Sequence, residues 1–146
     1  MKLSAALAGL LALSLLAGCS SAPSVIGTWT GKSNIAGSEA DIELNFDAAG
    51  KMVQTTKVTA QGQSITLKTN ATYKSDKEKL DVTIGSIDII DAPAMFKQVM
   101  EKATAESKGQ TVKVPYKIEG DTMSYGPVEG ASIPGGSTPM TFTRKK

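Results

Sequence analysis

The chain has 146 residues, with 16 Lys plus Arg against 14 Asp plus Glu and a formal net charge of +2. That near balance excludes a strongly basic nucleic-acid binder, and the length fits one domain. There is no histidine and a single cysteine, which excludes Ser-His-Asp and Cys-His catalysis and any internal disulfide.

The first 18 residues read as a segment apart from the fold. Met1 and Lys2 form a short cationic start, and residues 3–16 are almost wholly apolar Leu and Ala. The run is shorter than the roughly 20 residues that span a bilayer and ends in small residues, as cleaved signals do. Its end, Leu16-Ala17-Gly18-Cys19, resembles the lipobox of bacterial lipoproteins. The resemblance implies cleavage before Cys19, diacylglycerol on its sulfur, acylation of the new amine, and anchoring through the N-terminal lipid. In a Gram-negative host, Ser20 at the next position would imply the periplasmic face of the outer membrane, as the lipoprotein resemblance has it. A Gram-positive host would place the protein on the outer face of its one membrane. Residues 20–24 form the tether, which extends about 17 Å at most and holds the domain of residues 25–146 close to the bilayer.

Apolar residues then alternate with polar ones. Strands are expected over 25–32, 39–47, 51–59, 64–74 and 80–90. In the second, Ile42, Leu44 and Phe46 oppose Asp41, Glu43 and Asn45; in the fifth, the apolar parity switches at Gly85-Ser86, which predicts a β-bulge there. Residues 93–107 change period. Met95, Phe96, Val99 and Met100 recur at helical spacing, with Pro93 suited to the first turn, Asp91 or Ala92 to the cap and Gly109 to the stop. Strand patterning returns over 111–119, 122–126 and 139–144. Eight strands with short connections predict an all-β, antiparallel up-and-down barrel with one inserted helix. A two-sheet β-sandwich satisfies the same alternation.

Gly27-Thr28-Trp29 in the first strand resembles the Gly-x-Trp signature of lipocalins and lipocalin-like domains. The resemblance implies a lipocalin-like barrel closed at one end by Trp29 with a basic residue of the last strand, here Arg144. Lipocalins usually carry their helix after the eighth strand, whereas this one follows the fifth.

Few residues suggest chemistry. The chain contains no Gly-x-Ser-x-Gly elbow and no Ser-x-x-Lys pair, so no enzyme is expected. Asp41, Glu43 and Asp47 read as a solvated strand face, and no metal or cofactor is expected. The basic end, Arg144-Lys145-Lys146, reads as a solvated terminus. Met95, Phe96, Val99 and Met100 either complete the core or form a lid over a barrel mouth, contacting an apolar ligand. The Gly- and Pro-rich connection 126–139 reads first as a plain mobile loop and, as the alternative, as a place for partner contact. The leading function is binding of a small apolar or amphipathic molecule at the cell envelope. The competing one is an envelope protein whose barrel is solid and whose loops contact a protein partner.

Overall fold

The computed structural model describes residues 23–35, 37–60, 62–128 and 139–146. Cys19 and most of the 126–139 connection lie outside the described residues. The strands are β1 (Gly27–Ile35), β2 (Ser38–Phe46), β3 (Lys51–Ala60), β4 (Gln63–Ser75) and β5 (Lys79–Asp91). The helix α1 (Ala94–Ser107) follows, then β6 (Thr111–Glu119), β7 (Thr122–Tyr125) and β8 (Met140–Arg144). Each strand pairs antiparallel with the next, and β8 returns to β1, closing an eight-stranded up-and-down barrel. This is the architecture expected from the strand rhythm; the sandwich alternative is not formed.

Alternation sets which residues fill the barrel. Ala40, Ile42, Leu44 and Phe46 of β2 are buried, while Glu39, Asp41 and Asn45 are exposed. Trp29, Phe46, Phe142, Leu44, Leu80, Met123 and Val114 are the largest fully buried side chains. Each such burial contributes roughly 1.5–3 kcal/mol. Phe46 meets Tyr73 edge-on at 5.0 Å and Tyr125 meets Phe142 at 5.9 Å, the geometry that aromatic quadrupoles favour.

The β5 parity switch is a bulge. Ala71 pairs with Ile84 and Asn70 with Ser86, leaving Gly85 without a partner. The extra residue turns Ile87 and Ile89 to the same face as Val82 and Ile84. A Cβ on Gly85 would sit 3.1 Å from the Asn70 carbonyl oxygen, which suits the position to glycine.

The registers give the barrel two different poles. Turns 47–50, 76–78 and 120–121 lie at one pole, with the entering segment 23–26 and the C-terminal lysines. Ile35 and Gly37, Ala60 and Gly62, α1, the end of β7 at Tyr125 and the start of β8 at Met140 lie at the other. Pairing across the two closing seams is confined to the strand halves nearer the first pole. β6 meets β5 over Lys79–Thr83, and β8 meets β1 over Trp29–Gly31. Beyond those residues the long strands β1 to β5 continue as an open half-shell.

The phenol of Tyr125 lies in this core, and its burial pushes the pKa above the ordinary tyrosine value. The folded chain therefore keeps a proton that the unfolded chain releases above about pH 10. The contribution is full below that pH and is lost as pH rises past it, by about 1.4 kcal/mol per unit. Urea midpoints at pH 8 and 11 should fall further for wild type than for Tyr125→Phe. Equal falls would show that this phenol ionises freely in the folded state.

Candidate functional site

The closed pole is built around Trp29, which is fully buried in β1. Its indole Nε1–H donates to the Val25 carbonyl oxygen at 2.8 Å. The Arg144 guanidinium lies over the ring, 4.2 Å from its centroid, a separation that supports cation–π attraction. Arg144 Nη1 donates to the Ile26 carbonyl at 2.7 Å and Nη2 to the Ser24 carbonyl at 2.8 Å. The structure thus brings Trp29 and Arg144 together and uses both to hold the segment before β1. Val25 is buried beneath the barrel end as a result.

The glycine two residues before the tryptophan has a specific reason. Gly27 takes φ +130°, and a Cβ there would lie 2.8 Å from Arg144 Nη1. Any side chain would strain the backbone and push the guanidinium off the ring. Gly31 serves the seam between β1 and β8. A Cβ there would meet the Thr141 carbonyl oxygen at 2.7 Å and the Phe142 ring at 2.8 Å. Glycine lets the short last strand approach close enough to complete the barrel.

The open pole has a different lining. Ile65, Leu67 and Thr69 share the inward face of β4 with buried Ala71, but are only half-buried. Across from them, Ile89 pairs with Leu67 and Ile87 with Thr69. Gln54, Thr56 and Val58 continue the inward face of β3, with Gln54 Nε2 donating to Thr56 Oγ1 at 3.1 Å. Apart from the buried Thr56, these groups keep partial contact with solvent, and none belongs to the packed core cluster. Apolar walls with a few polar groups are the usual lining of sites for small amphipathic molecules.

Helix α1 borders this half-shell. It begins after β5 ends and returns to the middle of that strand, where Gly109 N–H donates to Ile84 O at 2.7 Å and Ile84 N–H to Gln110 O at 2.9 Å. Its 14 residues span about 21 Å, close to the roughly 23 Å from Ile84 to Asp91 along β5. The helix therefore has the length to lie along the stretch of β5 that β6 leaves unpaired. It packs on β5. Phe96 and Met100 are half-buried, and Val99 is 68% exposed. The side chain of Met95 lies outside the described part. None of the described helix residues joins the core cluster.

The helix start differs from the expected one. Pro93 occupies the N-cap and no side chain caps the helix, so neither Asp91 nor Ala92 caps it. The first turn also lacks acids and the last turn lacks bases. Without cap or dipole support, a short helix depends on its packing.

Charged groups lie outside the barrel. An open groove of about 480 Å³ on the outer wall is lined by residues including Lys32, Asp41, Glu43 and Lys57. Its acids are engaged: Lys32 pairs with Glu39 and Asp41, and Lys145 with Glu43 at 3.1 Å. Exposed pairs of this kind contribute about 0–1 kcal/mol. Asp47 and Asp76 turn back onto their own loops, accepting from the amides of Ala49 and Lys51 and of Glu78 and Lys79. Those two amides hold the Asp76 carboxyl below the ordinary carboxylate range. A shallower hollow of about 400 Å³ is bounded by residues 76–79. No group of three potential metal ligands occurs among the described residues.

Sequence reading missed three parts of this arrangement. The grip of Arg144 on two carbonyls needs the coordinates, because those partners are more than a hundred residues away. The open half-shell follows from strand-length mismatch, visible in sequence only as short patterns at 122–126 and 139–144. The polar groups inside it, Gln54 and Thr56, were hidden in a strand with few apolar residues. Compared with protein-family models and with curated proteins, the chain matches none.

Removing the guanidinium while keeping an apolar stem should release segment 23–26. Arg144→Met loses two charge-assisted hydrogen bonds and the cation–π contact, for an expected cost of about 2–4 kcal/mol. Arg144→Lys should recover less than half of that, since an ammonium lacks the planar fork. Urea denaturation would show the order wild type, Lys, Met. Three coincident curves would mean the grip contributes nothing to stability.

Proposed function

We propose that this protein is a non-enzymatic cell-envelope lipoprotein that binds a small apolar or amphipathic molecule in the open half of its barrel. The observation that carries the binding reading is the contrast between the two halves. One half is filled by Trp29, Phe46, Leu44, Leu80 and Phe142. In the other, Ile65, Leu67, Ile87 and Ile89 line a half-shell at partial burial beside α1. Gln54 and Thr69 supply polar positions for a headgroup. An aliphatic ligand covering these side chains would add about 25 cal/mol for each Å² removed from water.

The anchor reading rests on the lipobox resemblance at residues 16–19, and the Gly-x-Trp resemblance supports a lipocalin-like binder. The fold adds a geometric argument. The segment leading to Cys19 enters at the pole closed by Trp29 and Arg144. With a tether of about 17 Å at most, that pole faces the bilayer and the half-shell faces away from it, as an acceptor of envelope molecules would require. If the envelope is Gram-negative, Ser20 favours the periplasmic face of the outer membrane. The absence of histidine and of nucleophile motifs supports the non-enzymatic reading.

A second reading, contact with an envelope protein, draws on Ile90 and Val99. These side chains expose 49% and 68% at the same pole.

Two measurements test the proposal. Palmitate labelling should mark the wild-type chain and vanish in Cys19→Ser; label retained by the mutant would remove the anchor. Purified protein should bind a fluorescent fatty acid, and Leu67→Gln with Ile87→Gln should weaken binding at least about tenfold while leaving the barrel folded. These half-buried positions lie outside the core cluster, which favours tolerance of the change. Absence of binding by the wild type to fatty acid or other apolar probes would overturn the ligand reading and favour the protein partner.

A further inference from the structure

The open half of the barrel is layered along its strands. Pairing of β3 with β4 sets Met52 beside Ala71, then Gln54 beside Thr69, Thr56 beside Leu67, and Val58 beside Ile65. Met52 and Ala71 belong to the packed core. Gln54 and Thr69 are therefore the first inward layer above it. The apolar side chains Leu67, Ile89, Val58 and Ile65 lie nearer the open pole. Polar groups at the base of an apolar site fix the orientation of what binds there.

The polar layer is reachable and uncharged. Gln54 Nε2 donates to Thr56 Oγ1 at 3.1 Å, while Gln54 Oε1 and the Thr69 hydroxyl make no side-chain hydrogen bond among the described residues. No buried side-chain N or O of those residues lacks a partner. Both groups therefore keep contact with solvent, which a ligand's polar head can replace. Along β1 to β5, Lys32, Glu39, Asp41, Lys57, Lys68 and Asp88 occupy the alternate, outward positions. On that outer face Lys32 pairs with Glu39 and Asp41, and Asp88 accepts from Asn70 at 3.0 Å. An ionised head carried down to Gln54 and Thr69 would lose its water and gain no counter-charge. A hydroxyl or ester would exchange one set of hydrogen bonds for another.

We propose that the half-shell takes an uncharged amphiphile with a hydroxyl-bearing head, of the monoacylglycerol type, bound head-down on Gln54 and Thr69. Its chain then runs along Leu67, Ile89, Val58 and Ile65 towards the open pole. Gln54 Oε1 accepts from a head hydroxyl, and the Thr69 hydroxyl donates to the ester carbonyl. This inference rests on the binding reading and names the ligand class of that same site; it does not need the lipid anchor. A fatty acid meets the same apolar walls, but its carboxylate finds no cation at their base and it binds more weakly.

The test is displacement of an uncharged fluorescent naphthylamine dye from the purified protein, at about pH 8, where a free carboxyl is ionised. Three probes with chains of equal length are compared: monolauroylglycerol, laurate and dodecyltrimethylammonium. Monolauroylglycerol should bind at least about tenfold more tightly than either charged probe. Gln54→Leu with Thr69→Val should bring the three to within about threefold of one another. Thr69→Ser, which keeps the hydroxyl, should retain the preference. Lys97→Gln, at the half-buried lysine of α1, should leave the order of the three unchanged. Circular dichroism would verify that the variants are folded, and the wild-type order decides the proposal even if the double variant does not fold. Equal affinities in the wild type, or tighter binding of laurate, would overturn the proposal and leave the half-shell a binding site. Laurate binding lost in Lys97→Gln would also overturn it, by placing a carboxylate against α1. Failure of the dye and all three probes to bind would remove the binding reading itself, and this inference with it.

Discussion

Three residue pairs, from Trp29↔Arg144 to Gly31↔Phe142, join the first strand to the last and convert a curled sheet into a barrel. Around this seam the chemistry is dense. The indole fills the pole, the guanidinium covers the indole, and both reach carbonyls of the entering segment. Gly27 and Gly31 make room for this approach. Lys145 N–H continues the contact by donating to Thr28 O at 2.8 Å, and Arg144 N–H ties β8 to the 120–121 turn through Asp121 O. A loose seam would leave the edges of β1 and β8 open, and open edges are templates for association.

Strand length then divides the barrel. β7 and β8 are short, and β6 pairs with only the first five residues of β5, so a filled core forms only where β6 to β8 overlap the sheet of β1 to β5. Tyrosines brace the turns of that end: Tyr73 donates to the Asp47 carbonyl at 2.7 Å, and Tyr116 donates to the Asp76 carbonyl at 2.6 Å. Past the overlap, inward residues are retained in pattern but lose neighbours, and α1 packs on β5. Stability and access are thereby assigned to different poles, an arrangement compatible with a binding scaffold whose moving parts belong to the less stable region.

Much of the fold was legible because period-2 patterning survives even in strands of modest hydrophobicity. The β5 bulge could be read at Gly85 because a one-residue slip turns Ile87 and Ile89 to the wrong face. The Trp29–Arg144 contact was legible through family resemblance alone; nothing in spacing brings residues so far apart together. Helix α1 shows where pattern reading stops. Its apolar positions have helical period, yet period does not say what they face, and Val99 faces solvent while Phe96 and Met100 are half-buried. Its cap was misplaced because Asp91 is still strand and Pro93, unable to extend the sheet ladder, marks the boundary. The candidate binding surface was illegible for a related reason: the same alternation describes an inward residue in a filled half and in an open one.

The division into a solid pole and an open pole is tested most directly by native-state hydrogen exchange. Amides of Leu44, Val82 and Phe142 should exchange only through global unfolding, with free energies equal to that from denaturation. Amides of Leu67, Thr69, Ile87 and Ile89, and those of α1, should exchange through local opening at distinctly lower free energy. One uniform free energy for all these amides would contradict the account, since it would mean that the barrel is equally packed from pole to pole.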